Sequence, residues 1–150
     1  SIKTSLYFIS LINEAKAILN HNLLNYYKNQ TKIVLTKKHL NEIKSITKIN
    51  EKSIKLDQEI GEKVPDETLY SLVLRLRELY LIEGLRSGKN PTKKDFIDLI
   101  KRIASEESYN AYLRIKNDLK PKKVIPVKEA EELINEIKRR IKNLEHGKKK

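Results

Sequence analysis

The chain has 150 residues, 39% of them hydrophobic and 35% charged, so it is long enough to bury a core and too apolar to be a disordered tail. Its 32 Lys and Arg against 20 Asp and Glu give a formal net charge of +12, which favours a polyanionic partner. The absence of Cys excludes disulfides and cysteine nucleophiles and favours an intracellular, cytoplasmic protein. The apolar stretch 4–12 is interrupted by Asn13 and Glu14, so no membrane span or signal peptide is expected.

The apolar spacing predicts an all-α fold of about six or seven helices in one domain, 1–150, which could divide into halves 1–64 and 65–147. A long first helix is predicted from Leu6 to Tyr27. Thr36 and Asn50 are suited to cap a second and a third helix. Abundant Lys and Glu are also typical of heat-adapted surfaces, which explains the number of charges but not the positive excess.

Pro65 and Asp66 mark the start of the helix predicted over 66–87, which ends at Gly88. One face of this helix is strongly apolar. Three leucines collect on the opposite face: Leu74, Leu81 and Leu85. If other helices cover both faces, the helix over 66–87 is the central helix of the fold. If the second face is exposed, it would instead indicate a protein-binding surface.

Two further helices are predicted over 92–103 and 106–119, capped by Thr92 and Ser105. Their order and short break resemble a helix-turn-helix over 92–119. In such modules the second helix lies in the major groove of DNA, so the resemblance implies that Arg114 and Lys116 face phosphates. The break lacks the Gly common in these turns, and an ordinary pair of packed helices is the alternative. Residues 120–126 contain two prolines and are predicted to be extended before a last helix that Gly147 ends.

The stretch from Arg86 to Lys123 holds eleven cations and only five acids. This excess predicts a nucleic-acid-binding surface that acts mainly through phosphate contacts, for DNA or RNA. The predicted contacts are Arg86, Lys89, Lys93, Lys94, Lys101, Arg102, Arg114, Lys116, Lys120, Lys122 and Lys123.

Signatures of catalysis are missing: there is no Gly-rich phosphate loop, nucleophile elbow, zinc helix or calcium loop. The three histidines are widely spaced, so we predict no metal site. Because the catalytic motifs are missing as well, we predict no cofactor and no enzymatic activity. Asp95 and Asp98 lie one turn apart, where acids also stabilise a helix N-terminus. Glu83 falls among core-facing positions, and we predict a buried ion pair with Arg75, with Arg86 or another cation as the alternative.

Three runs, 79–90, 109–118 and 126–134, resemble the helical region that accompanies some archaeal minimal nucleotidyltransferases. That family's catalytic domain carries a Gly-Ser turn and paired aspartates that hold metal, and this sequence has no counterpart. The resemblance therefore implies an accessory, non-catalytic piece. Size and charge also fit a helical small subunit of a larger nucleoprotein complex, such as a CRISPR effector, which would act through protein contacts.

Overall fold

A computed structural model describes residues 21–89 and 92–147, with the backbone alone for 21–36. These residues form five helices: α1 (His21–Glu59), α2 (Asp66–Ser87), α3 (Lys93–Ile103), α4 (Glu106–Lys116) and α5 (Val127–His146). The all-α prediction is confirmed, but the described residues hold five helices rather than six or seven. Much of the predicted helix 6–27 lies outside them. Across the described ranges, no helix combines the length and apolarity needed to span a bilayer.

The prediction that short helices begin at Thr36 and Asn50 is wrong, because α1 runs through both positions. No Gly or Pro occurs between residues 21 and 59 to interrupt it. Asn50 is 9% exposed and its Nδ2 donates a hydrogen bond to Ser71 Oγ at 2.9 Å. A residue type that suits a helix cap thus makes a tertiary contact within a helix.

α2 is central, as predicted, and packs against each of the other four helices. It begins after Pro65 and ends at Gly88, whose φ of 72° is left-handed and whose N–H donates to the Gly84 carbonyl. Its fully or almost fully buried apolar side chains are Leu69, Leu72, Val73, Leu76, Leu79 and Ile82. The described part of α1 shares this core through Leu40, Ile43 and Ile54, so the two predicted halves are not separate there.

The second face of α2 is partly covered. Leu74, Leu81 and Leu85 are all half-buried, and Leu74 packs against the core. They do not form the exposed apolar patch that would indicate a protein-binding surface.

α3 and α4 begin at the predicted caps. Thr92 Oγ1 accepts a hydrogen bond from the Asp95 N–H at 3.1 Å, and Ser105 Oγ accepts one from the Ser108 N–H at 3.0 Å. Each cap satisfies a backbone donor that the helix itself leaves unpaired. Both helix starts could therefore be located from the sequence.

α4 ends at Lys116, before its predicted end at residue 119. Asp118 takes a left-handed φ of 56°, and the Leu119 N–H donates to the Arg114 carbonyl at 2.8 Å. A left-handed residue with this hydrogen bond ends a helix, and the left-handed residue is usually glycine. Because Asp118 takes that position here, the sequence does not show where α4 ends.

The segment between α4 and α5 is extended near its end, as its prolines predict. Val64 and Ile125 are both fully buried and form an isolated antiparallel bridge, in which the Val64 N–H donates to the Ile125 carbonyl at 2.8 Å. The Asp66 N–H donates to the Lys122 carbonyl at 3.0 Å. These bonds tie the segment to the start of α2, and α5 then closes the core against α1, α2 and α3.

Candidate nucleic-acid interface

Some of the eleven predicted contact residues also hold the fold together. Arg86 Nη1 donates to the Leu144 carbonyl near the end of α5 at 2.7 Å. Lys123 Nζ lies 3.7 Å from Glu62 and 3.9 Å from Asp57. Both cations have structural partners in addition to any role at the surface.

Arg114 is a structural residue, so its prediction as a phosphate contact is wrong. Its side chain is only 12% exposed, and Nε and Nη2 donate to both oxygens of Asp66 at 2.6 and 2.9 Å. Nη1 donates to Glu107 at 2.8 Å. The Asp66 carboxylate is fully buried and also accepts from the Lys122 N–H at 2.8 Å. This network joins the start of α2 to α4 and to the segment before α5.

The same network sets the charge state of Asp66. Burial alone would raise the pKa of this carboxyl. The hydrogen bonds from Arg114 and from the Lys122 amide outweigh burial and hold the pKa of Asp66 below its ordinary range. The pair therefore stays charged at neutral pH, and the Arg114 guanidinium is not free to bind an external phosphate.

The exposed side chains of α4 do not favour its interpretation as a DNA-reading helix within a helix-turn-helix over 92–119, which stays a prediction. α4 packs along α2, and its buried side chains are Ser108, Ala111 and Tyr112. Its exposed side chains are two acids, Glu106 and Glu107, and Lys116. A helix in the major groove needs an exposed face with groups for base edges. The alternative, an ordinary pair of packed helices, is favoured.

Ten of the eleven predicted cations are exposed, all but Arg114. Apart from Arg86 and Lys123, whose partners are given above, they are Lys89, Lys93, Lys94, Lys101, Arg102, Lys116, Lys120 and Lys122. Lys101 Nζ lies 3.7 Å from Glu106. Within the described ranges, none of the other seven side chains has a carboxylate oxygen within 4 Å. These cations keep their charge available to a partner.

Two of the exposed lysines border a groove of about 290 Å³ between α2, α3 and α4. It is lined by Arg77, Tyr80, Leu81, Thr92, Lys93, Phe96, Ile97, Tyr109, Tyr112 and Lys116. Three of the ten are cations, four are aromatic and none is acidic. We call this site the aromatic–basic groove.

The rings of the aromatic–basic groove lie at two depths. Phe96 and Tyr112 are 8% and 6% exposed and form its floor, whereas Tyr80 and Tyr109 are half-buried. The Tyr80 and Phe96 centroids are 5.6 Å apart with the rings tilted at 52°. The Tyr109 and Tyr112 centroids are 6.0 Å apart and the rings are closer to parallel, at 26°. Such pairs stiffen the wall of the groove.

Cations lie directly beside these rings. Lys101 Nζ is 5.6 Å from the Tyr109 centroid and Lys116 Nζ is 5.8 Å from the Tyr112 centroid. Burial raises the pKa of Tyr112, and the nearby Arg77 guanidinium, which hydrogen-bonds to this side chain, offsets part of that rise. The phenol is therefore neutral at physiological pH, and the positive charges at the groove are not cancelled by it.

Among the described residues that line the groove, Arg77 is the one cation that was not predicted from the sequence, and the four aromatic residues there were not predicted as site residues either. Its position three and four residues before Tyr80 and Leu81 places all three on one side of α2, which is a usable signal. This spacing identifies a site residue only when it is also known that Tyr109 and Tyr112 of α4 pack against that side of α2.

The prediction that Arg75 pairs with Glu83 is wrong. Arg140 Nη1 on α5 donates to Glu83 Oε2 at 2.7 Å, and Arg75 pairs with Glu78 at 3.3 Å. Residues eight apart on a helix are separated by about 12 Å, too far for an easy contact. Partial burial raises the pKa of Glu83, because the Arg140 and Arg139 charges offset only part of the lost hydration.

The acidic residues singled out in the sequence do not converge on a site. Asp95 and Asp98 are exposed on α3, and Glu83 is engaged with α5. Among the described residues, no three His, Asp or Glu side chains are grouped so that they could hold a metal ion.

Comparison with known protein families, with characterised proteins and with solved structures finds no match to this chain. The resemblance to the helical region of archaeal nucleotidyltransferases therefore stays a prediction.

Proposed function

We propose that this protein binds nucleic acid without catalysing a reaction, through the cations around the aromatic–basic groove. The observation that carries the proposal is the lining of that groove, where no carboxylate of the described residues pairs with Arg77, Lys93 or Lys116. Uncompensated cations beside a concave surface raise the local concentration of polyanions.

The α1–α5 side of the molecule also carries cations, and two of them are paired with acids. Lys138 Nζ pairs with Glu51 at 2.7 Å across α5 and α1, and Lys44 pairs with Glu145. Other exposed lysines there, such as Lys48 and Lys142, have no carboxylate oxygen within 4 Å among the described residues. The groove is therefore distinguished by its aromatic lining together with its charge, and not by charge alone.

Phosphate contacts are expected to dominate the affinity. Among the described residues, the groove lining has no Asn, Gln, Asp or Glu, which are the side chains that pair with adenine or cytosine edges. Three to five neutralised phosphates would give a slope of log affinity against log salt of roughly −2 to −4. Binding should therefore weaken steeply with salt and depend little on sequence.

The test is a fluorescence anisotropy titration with labelled DNA and RNA strands of about 20 nucleotides, between about 50 and 200 mM salt. We expect saturable binding at low salt and a linear loss of log affinity with log salt. A polyglutamate chain of similar length is the control for charge alone and should bind more weakly. No binding to any nucleic acid at the lowest salt would refute the proposal.

A second candidate function is an accessory or small subunit of a larger nucleoprotein complex, acting through protein contacts. It is favoured by Ile49, Leu56 and Ile60, which are 66%, 61% and 69% exposed. Their spacing of seven and four residues aligns them along one side of the α1 end. Reversible self-association at micromolar concentration, lost in Leu56→Lys, would support a contact surface there. A strictly monomeric chain would count against contacts between its own copies.

A further inference from the structure

We infer that the aromatic–basic groove receives an unstacked base of a single-stranded nucleic acid, which makes the preferred partner single-stranded rather than duplex. The inference rests on the proposed function and deepens it by naming the form of nucleic acid. It is supported by the aromatic rings, the concave shape and the cations that the groove brings together.

The shape of the groove suits one planar group. Its volume of about 290 Å³ is at the lower end of the range for small-molecule sites, roughly 300–1,000 Å³. The half-buried rings of Tyr80 and Tyr109 flank a floor made by Phe96 and Tyr112. Every base has a π-face that stacks on such rings, so this lining is suited to bases in general.

The position of the accessible rings inside a groove discriminates against a duplex. Phe96 and Tyr112 belong to the hydrophobic core and are almost completely buried, so stacking on a base falls to the half-buried rings of Tyr80 and Tyr109. In a duplex each base is stacked on both faces and paired at its edge, and only an unpaired base can be turned outwards at low cost.

The charges around the groove fit the phosphates on either side of an inserted base. Lys93 and Lys116 are exposed, and the Lys101 side chain is 39% exposed on a flexible stem. The Lys101 and Lys116 ammonium groups that lie over the rings of Tyr109 and Tyr112 can move aside to the phosphates when a base takes their place. Charge and stacking therefore act on neighbouring parts of one nucleotide.

The experiment compares three probes of equal length on the full chain at low salt: a single DNA strand, a duplex, and an abasic strand that keeps the phosphates and lacks the bases. We expect the normal strand to bind roughly 5- to 150-fold more tightly than the abasic strand, the effect of one stacked base. The duplex should bind more weakly than the single strand despite its higher charge density.

Variants of the groove identify the site. Tyr109→Leu and Tyr80→Leu should each reduce or abolish the preference for the normal over the abasic strand, whereas Tyr109→Phe should keep it. Tyr70→Leu is the matched control, because Tyr70 stacks on Tyr112 at 5.4 Å without lining the groove. Unfolding midpoints of all variants show whether each remains folded.

Equal affinity for normal and abasic strands would overturn the inference, as would an unchanged preference in both leucine variants or tighter binding of the duplex. In each of those cases the strands still bind and the proposed function survives. If none of the probes binds at low salt, the proposed function itself has failed.

Discussion

Two arginine–carboxylate pairs in this protein differ in what the fold does to the acid. Asp66 is enclosed by three hydrogen-bond donors and its pKa is lowered, whereas Glu83 meets Arg140 in a half-buried position and its pKa is raised. In the sequence Glu83 stands out because it interrupts an apolar pattern, whereas Asp66 has the pattern of an ordinary acid in the first turn of a helix. Only the docking of α4 and α5 reveals which acid stabilises the fold.

Asp66→Asn should destabilise the protein by about 3 kcal/mol at pH 7, because it leaves the nearly buried Arg114 without its main partner. The folded-state pKa of Asp66 is below the unfolded value, about 3.9, so the contribution is complete above that pH. It is lost as the pH falls through the folded pKa. Urea unfolding of both proteins between about pH 2 and 7 should show the gap closing in acid.

Glu83→Gln is the matched control for that experiment. The raised pKa of Glu83 means that the fold disfavours its ionised form, so neutralising it removes no net stabilisation at neutral pH, and Arg140 keeps Glu136 as a partner at 2.9 Å. The change should cost less than about 1 kcal/mol at pH 7. A larger loss than in Asp66→Asn would show that the roles of the two pairs have been reversed.

At the scale of helices, starts are easier to predict than stops or continuity. Thr92 and Ser105 are caps in the structure as in the prediction, since each accepts a backbone hydrogen bond within the first turn. Thr36 and Asn50 carry the same local signal and lie inside α1. The difference for Asn50 is tertiary, because its amide is satisfied by Ser71.

Gly88→Ala tests the one helix stop that the sequence predicts best. Gly88 has a φ of 72°, and a Cβ there would meet nothing within 4 Å, so the cost is that of the backbone alone. We expect a loss of about 1–2 kcal/mol in urea unfolding. Gly147→Ala is the control, since Gly147 follows α5 with a φ of −69° that any residue adopts, and it should change stability little. Equal effects would mean that the left-handed stop is unimportant.

For the whole molecule, composition predicts the sign of the surface charge but not its location. The all-α class, the central α2 and the extended segment before α5 follow from periodicity and from Gly and Pro. Arg114, one of the predicted contacts, is instead paired with Asp66. Arg77, which was not predicted, lines the groove. Both outcomes depend on contacts between α2 and α4, which are more than thirty residues apart in the chain and leave no local pattern.

The central claim is that the aromatic–basic groove, and not the total charge, binds nucleic acid. The most direct measurement compares two triple variants for affinity to a single strand at low salt. One removes the groove cations, Arg77→Gln, Lys93→Gln and Lys116→Gln. The other removes three exposed lysines elsewhere, Lys52→Gln, Lys63→Gln and Lys142→Gln. Each removes three positive charges from the formal +12.

We predict that the groove variant loses roughly 10-fold or more in affinity and lowers the salt slope by about two to three, while the control triple retains most of the binding. Circular dichroism and unfolding midpoints confirm that both variants are folded. Equal losses in the two triples would contradict the account, because they would show that diffuse positive charge, rather than the groove, attracts the nucleic acid.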